Sequence, residues 1–203
     1  MKGALIAIEG IDGCGKGTVL TRLAADVFNH NKDYNIFLTR EPYKRDWVKK
    51  FLSQLDPVSQ GEQAVELFVE DRKKHLKIVE PLLNKGIIVL CDRYLHSTFA
   101  YQMAQGITFE KIKQLHEGIR MPDLCIILDI PANISVKRIA TGRENTHAFE
   151  REEFLAKVRE NYLKVSKDLH HNCQIIDGNR ERDLVYDDVK KTVINFLNTH
   201  KDL

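Results

Sequence analysis

No apolar run in this chain of 203 residues is long enough to cross a bilayer, and the N-terminal one, Leu5-Ile6-Ala7-Ile8, is interrupted by Glu9. Neither a membrane span nor a signal peptide is therefore expected, and no membrane partner. Repeats and low-complexity linkers are also missing, so residues 1–203 should form one domain. Cysteine is scarce: Cys14, Cys91, Cys125 and Cys173 are far apart and show no CxxC or CxxH spacing. That argues against a disulfide frame or structural zinc and for a reduced, cytoplasmic setting. Neither sign of charge dominates. A net charge of +2 is too small for a nucleic-acid coat, so no nucleic-acid partner is expected and any basic chemistry must be local. The basic stretch Lys44–Lys50 contains Asp46 and Trp47 and reads as a solvated segment or one facing a small anion. His170-His171 lacks partner ligands at metal spacing.

What is present is a phosphate loop. The residues Gly10-Ile11-Asp12-Gly13-Cys14-Gly15-Lys16-Gly17-Thr18 follow the first apolar run and lead into Leu20, Leu23, Ala24 and Val27 at helical spacing. A strand, a glycine-rich turn and a helix with lysine at its mouth make a cradle for nucleotide phosphates, ATP or GTP. Glycines let backbone amides converge on phosphate oxygens, and Lys16 adds a full positive charge to the helix's partial one.

Further strand-like runs occur at Ile36–Thr39, Ile87–Cys91, Leu124–Leu128 and Gln174–Ile176. They are uninterrupted rather than alternating, as in strands covered on both faces. Segments of helical period separate them, so a five-stranded parallel sheet flanked by helices on both faces follows. Ligands gather at the carboxyl ends of such strands. There the third run ends in Asp92-Arg93-Tyr94: a carboxylate placed to hold Mg²⁺ and a guanidinium fork for a second phosphate. Two facing phosphates suggest transfer more than hydrolysis. One turn of helix separates Phe68 from Arg72, which puts a flat ring and a guanidinium on one face. That pair suits a planar base, or else is a core phenylalanine beside a solvated basic run.

Together these residues resemble the thymidylate (dTMP) kinase family of P-loop nucleoside monophosphate kinases across nearly the whole chain. The resemblance is carried by Leu90-Cys91-Asp92-Arg93-Tyr94 with Ser97-Thr98 and Ala100-Tyr101-Gln102, by Glu9-Gly10-Ile11-Asp12-Gly13, and by Thr39-Arg40-Glu41-Pro42. Pro122-Asp123-Leu124, Leu128-Asp129 and Ala140-Thr141-Gly142-Arg143 add the strand before a lid of approximately residues 138–153 and its opening. The resemblance implies ATP as donor, dTMP as acceptor, Mg²⁺ and a homodimer. It implies that Lys16, Asp92, Arg93 and the lid's Arg143 are catalytic, with Arg138 or Arg151 as companions to Arg143. Residues 10–18 would hold the donor, and Thr18 with Asp92 the metal. Asp12, Glu41, Lys49, Phe68, Arg72, Arg93, Ser97 and Gln102 would hold the acceptor, Phe68 stacking on thymine and Arg93 gripping the monophosphate.

Three positions depart from the family pattern. Gly17 replaces the usual Ser or Thr after the loop lysine, wording shared with adenylate kinases, so the metal could be held through waters. Tyr43-Lys44 stands where Gly-Gly is usual, which loosens the assignment of Lys49. The lid reads Asn145-Thr146-His147. The rival readings are a kinase for AMP, UMP or a deoxynucleoside, a GTP-dependent switch, and a kinase-shaped module without catalysis. The switch should carry a late Asn-Lys-x-Asp element, and only the early, wrongly spaced Asn31–Asp33 resembles it.

Overall fold

A computed structural model describes residues 3–53, 61–140, 148–169 and 172–200. All five expected strands form: β1 (Leu5–Glu9), β2 (Ile36–Arg40), β3 (Ile88–Asp92), β4 (Leu124–Asp129) and β5 (Cys173–Asp177). They make one parallel sheet in the order β2-β3-β1-β4-β5. Among the described residues the helices are α1 (Lys16–His30), α2 (Arg45–Leu52), α3 (Gly61–Asn84), α4 (Leu95–Ala104), α5 (Phe109–Leu115), α6 (Ala132–Ala140), α7 (Ala148–Asp168) and α8 (Arg182–His200).

The sheet separates two cores, and the pleat of β1 assigns its side chains to them alternately. Ile6 and Ile8 pack with Val19, Leu23 and Val27 of α1 and Val189 and Val193 of α8. Leu5 and Ala7 pack with Val69, Leu76 and Val79 of α3. Each aliphatic side chain fully buried in this way stabilises the fold by roughly 1.5–3 kcal/mol. Burial on both faces holds for β1, β3 and β4. It fails for β2 and β5, where Leu38 and Ile175 are exposed. Those two strands lie at the sheet edges, where the flanking helices cover them only in part.

Because β1 is central and its neighbours β3 and β4 come from different halves of the chain, the crevice beyond its carboxyl end is where the loops converge. The loop after β1 and the residues after β3 meet there. Four cysteines are free thiols, and no described helix is long and apolar enough to cross a membrane.

Candidate active site

The phosphate loop joins β1 to α1. Gly10, Gly13 and Gly15 all have positive φ, 131°, 75° and 104°, which the backbone needs in order to turn its amides inward. Gly15 caps α1 without any side-chain hydrogen bond, leaving the helix's first amides for a ligand. The Lys16 ammonium folds back over its own loop, donating to the Gly10 carbonyl at 3.0 Å, the Ile11 carbonyl at 3.1 Å and Cys14 Sγ at 3.6 Å. An open cavity of about 310 Å³ lies along the loop and is lined by Asp12, Lys16, Thr18, Asp92 and Arg93 together with the loop glycines.

Asp92 closes β3 at the edge of this cavity. Its Oδ1 is buried without a hydrogen-bond partner, a state that disfavours an unoccupied carboxylate and suits a hard cation. Thr18 is exposed in the first turn of α1, and its hydroxyl adds a second oxygen of the right type. This donor set fits Mg²⁺.

Arg93 follows directly and has φ 69°, a left-handed conformation uncommon for a residue with a Cβ. Nη2 donates to Asp12 Oδ1 at 2.5 Å and Tyr101 Oη at 3.3 Å. Nη1 donates to the Gly10 carbonyl, Ser97 Oγ and Tyr162 Oη, each at 3.2 Å. Burial works against the guanidinium charge, but Tyr162, Tyr101, Asp12 and Glu9 around it keep its pKa well above the ordinary value. Beneath it lies Glu9, wholly buried, which accepts from Ser97 Oγ at 2.5 Å, the Tyr94 amide at 2.7 Å and Tyr162 Oη at 3.0 Å. Burial pushes the Glu9 carboxyl up, against the pull of those donors. Ser97 is thereby fixed from two sides.

A second cavity, of about 390 Å³, opens beside the first. Seven of the eight residues expected to hold an acceptor line it: Asp12, Glu41, Phe68, Arg72, Arg93, Ser97 and Gln102. Lys49 does not; it is exposed on α2 and outside the lining. Asp71 accepts from the backbone amides of Tyr43 and Lys44, at 2.5 Å and 2.8 Å, and so ties the segment after Pro42 to α3. Phe68 is half-buried and lines the cavity, while Arg72 is 2% exposed. The alternative reading of Arg72 as part of a solvated run is therefore wrong. Its Nε donates to Glu41 at 2.7 Å and its Nη2 to Thr98 Oγ1 at 3.1 Å. The same Glu41 carboxylate meets His75 Nδ1 at 3.0 Å.

Arg138, on α6, donates to the Gly13 and Gly178 carbonyls, each at 3.5 Å, so a lid-side arginine reaches the loop tip. Arg151 is half-buried on α7. Arg143 and residues 141–147 lie outside the described residues, as do His170 and His171. Periodicity singles out neither Glu9 nor Tyr162 as a hub. The one available signal is chemical: an acid ending an apolar strand, and a phenol inside the apolar stripe Phe154-Val158-Tyr162-Val165.

The thymidylate kinase family model matches residues 8–189. The chain belongs to that family. Among curated thymidylate kinases, it is 37% identical to that of Desulfotalea psychrophila, with 90% of this chain and 93% of the other covered. A probable thymidylate kinase of Staphylothermus marinus is 35% identical, with 96% of each chain covered. The crystal structure of thymidylate kinase from Ehrlichia chaffeensis superposes with a TM-score of 0.74 at 29% identity, covering 95% of this chain and all of the other. The parallel α/β fold seen here is thus shared with that solved thymidylate kinase.

Proposed function

We propose that this chain transfers the γ-phosphoryl group of ATP to the 5′-phosphate of dTMP, giving dTDP and ADP. The observation that carries this reading is that the loop cavity and the second cavity share Asp12 and Arg93 in their linings. A donor held by the loop amides and an acceptor resting beside Phe68 and Arg72 would bring their phosphates together at those two side chains. Phosphoryl transfer needs in-line positioning and cancellation of charge, with little covalent help.

On this reading Lys16 exchanges the carbonyls of Gly10 and Ile11 for the donor's phosphate oxygens. Arg93 exchanges Asp12 for the acceptor phosphate, its backbone and Ser97 contacts keeping the fork aimed. Arg72 donates to a carbonyl of the base while Phe68 stacks on the ring. Asp92 and Thr18 would hold Mg²⁺, directly or through waters, and the ion would supply positive charge to the donor's phosphate oxygens. A lid arginine, Arg143 or Arg138, adds charge at the transferred group. A cytoplasmic setting fits the four free thiols. A homodimer is carried over from the family resemblance alone.

ADP release measured with dTMP, dUMP, UMP, AMP and no acceptor tests the reading. Strong stimulation by dTMP is expected. Stimulation by AMP or UMP instead would overturn the acceptor assignment, and acceptor-independent loss of GTP would point to a switch.

A further inference from the structure

Arg72 has a third anchor, and it comes from the far side of the acceptor chamber. His116 follows α5 as its C-terminal cap, and its Nε2 lies 2.7 Å from Arg72 Nη1. Its other nitrogen, Nδ1, lies 2.8 Å from the Ile112 carbonyl. A carbonyl can only accept, so Nδ1 carries the proton and Nε2 offers a lone pair. Burial, together with the charges of Arg72 and Lys73, pushes the imidazole pKa down to about 3, which favours the neutral ring that the two hydrogen bonds require. Its orientation is fixed by the ring of Phe99, 5.3 Å away between centroids, and Phe99 is backed in turn by Phe109 at 5.2 Å.

The three anchors of Arg72 divide its fork. Glu41 and Thr98 take Nε and Nη2, whereas His116 takes one hydrogen of Nη1. Guanidinium nitrogens are planar, so fixing one Nη1 hydrogen also fixes the direction of the other. His116 also lines a third cavity, of about 650 Å³, with Leu95, Phe99 and Phe109.

We propose that His116 is a positioning residue for nucleobase recognition, holding Arg72 so that a hydrogen-bond donor faces the carbonyl edge of the pyrimidine. The inference rests on the dTMP reading above. It makes the chamber select thymine, which presents a carbonyl where cytosine presents an amine. Cytosine would set donor against donor, with neither group satisfied.

The test is steady-state kinetics of the full chain with His116→Ala, His116→Gln and His116→Asn. A glutamine amide reaches the position of Nε2, and an asparagine amide reaches only that of Nδ1. His116→Ala is expected to raise KM for dTMP about tenfold, the worth of one hydrogen bond to a charged group, and to narrow the preference for dTMP over dCMP. KM for ATP should not change. His116→Gln should recover most of the loss and His116→Asn little of it. Should His116→Ala fail to fold, the glutamine–asparagine pair decides alone. Unchanged KM for dTMP, a parallel rise in both KM values with a fall in Tm, or equal behaviour of the two amides overturns the proposal. Failure of the wild-type chain to use dTMP would instead sink the functional reading beneath it.

Discussion

Arg93 holds a left-handed backbone at the point where two cavities meet, and strain of this kind persists only where the surroundings fix it. Its fork has five partners, of which Asp12 is the one opposite charge in contact. A phosphate entering there replaces one anion with another, so little reorganisation accompanies binding. Arg93→Ala should lower kcat/KM for dTMP by about 10²–10³, comparable to the loss of one transition-state donor, while ATP affinity by titration stays near wild type. Near-normal turnover would remove Arg93 from the mechanism. Glu9 should behave differently, because it lines neither of these two cavities and instead orders Tyr94, Ser97 and Tyr162. Asp12, Arg93, Phe68 and Arg72 were legible in the sequence because each sits in a local pattern, the phosphate loop, the polar end of an apolar strand, or one turn of a single helix, although Asp12 and Arg93 meet across 81 residues. Glu9–Tyr162 and Arg72–His116 span 153 and 44 residues, and no local pattern records such meetings.

At the scale of elements, uninterrupted apolar runs located all five strands, and for β1, β3 and β4 the reason is that a buried parallel strand has no polar face to break the run. What those runs could not carry was register. Parallel pairing sets Cys125 of β4 opposite Cys173 of β5, and their sulfurs, with a ring nitrogen of His96, lie within 4.8 Å of one another, although sequence spacing keeps the three far apart. The loop before α1 shows how far a motif does determine geometry. Gly10 and Gly15 both need positive φ, yet a Cβ on Gly15 would meet open space, whereas one on Gly10 would lie 2.5 Å from the Leu128 carbonyl oxygen and 2.9 Å from Cys14 Sγ. Gly15→Ala should therefore carry only the backbone penalty of about 1–2 kcal/mol. Gly10→Ala should add an overpacking penalty of about 1–3 kcal/mol, because a backbone carbonyl cannot step aside. Urea unfolding of the two variants separates the terms, and equal losses would contradict the contact geometry.

Across the whole molecule, the first and last helices close the fold from opposite ends of the chain. Both α1 and α8 cover the same side of the sheet, and a polar clasp fastens one to the other at its rim. Tyr186 Oη donates to Asp26 at 2.7 Å, Lys190 reaches the same carboxylate at 2.9 Å, and the Arg22 guanidinium lies 3.8 Å above the Tyr186 ring while pairing with Asp183 at 2.5 Å. The Tyr186 and Lys190 hydrogen bonds hold the Asp26 pKa below its ordinary 3.8. A carboxylate lowered on folding adds stability above its unfolded pKa, and that stability disappears as pH falls through the folded value. Asp26→Asn should thus lower Tm by about 2–4 °C at pH 7, and the gap to wild type should stay flat down to about pH 5. It should close as the pH falls below 3.8. Tyr186→Phe removes the larger of the two hydrogen-bond contributions and should raise the Asp26 pKa in a carboxylate NMR titration. A gap in Tm that persists unchanged at pH 3 would mean that the clasp acts through packing alone, with the charge on Asp26 playing no part.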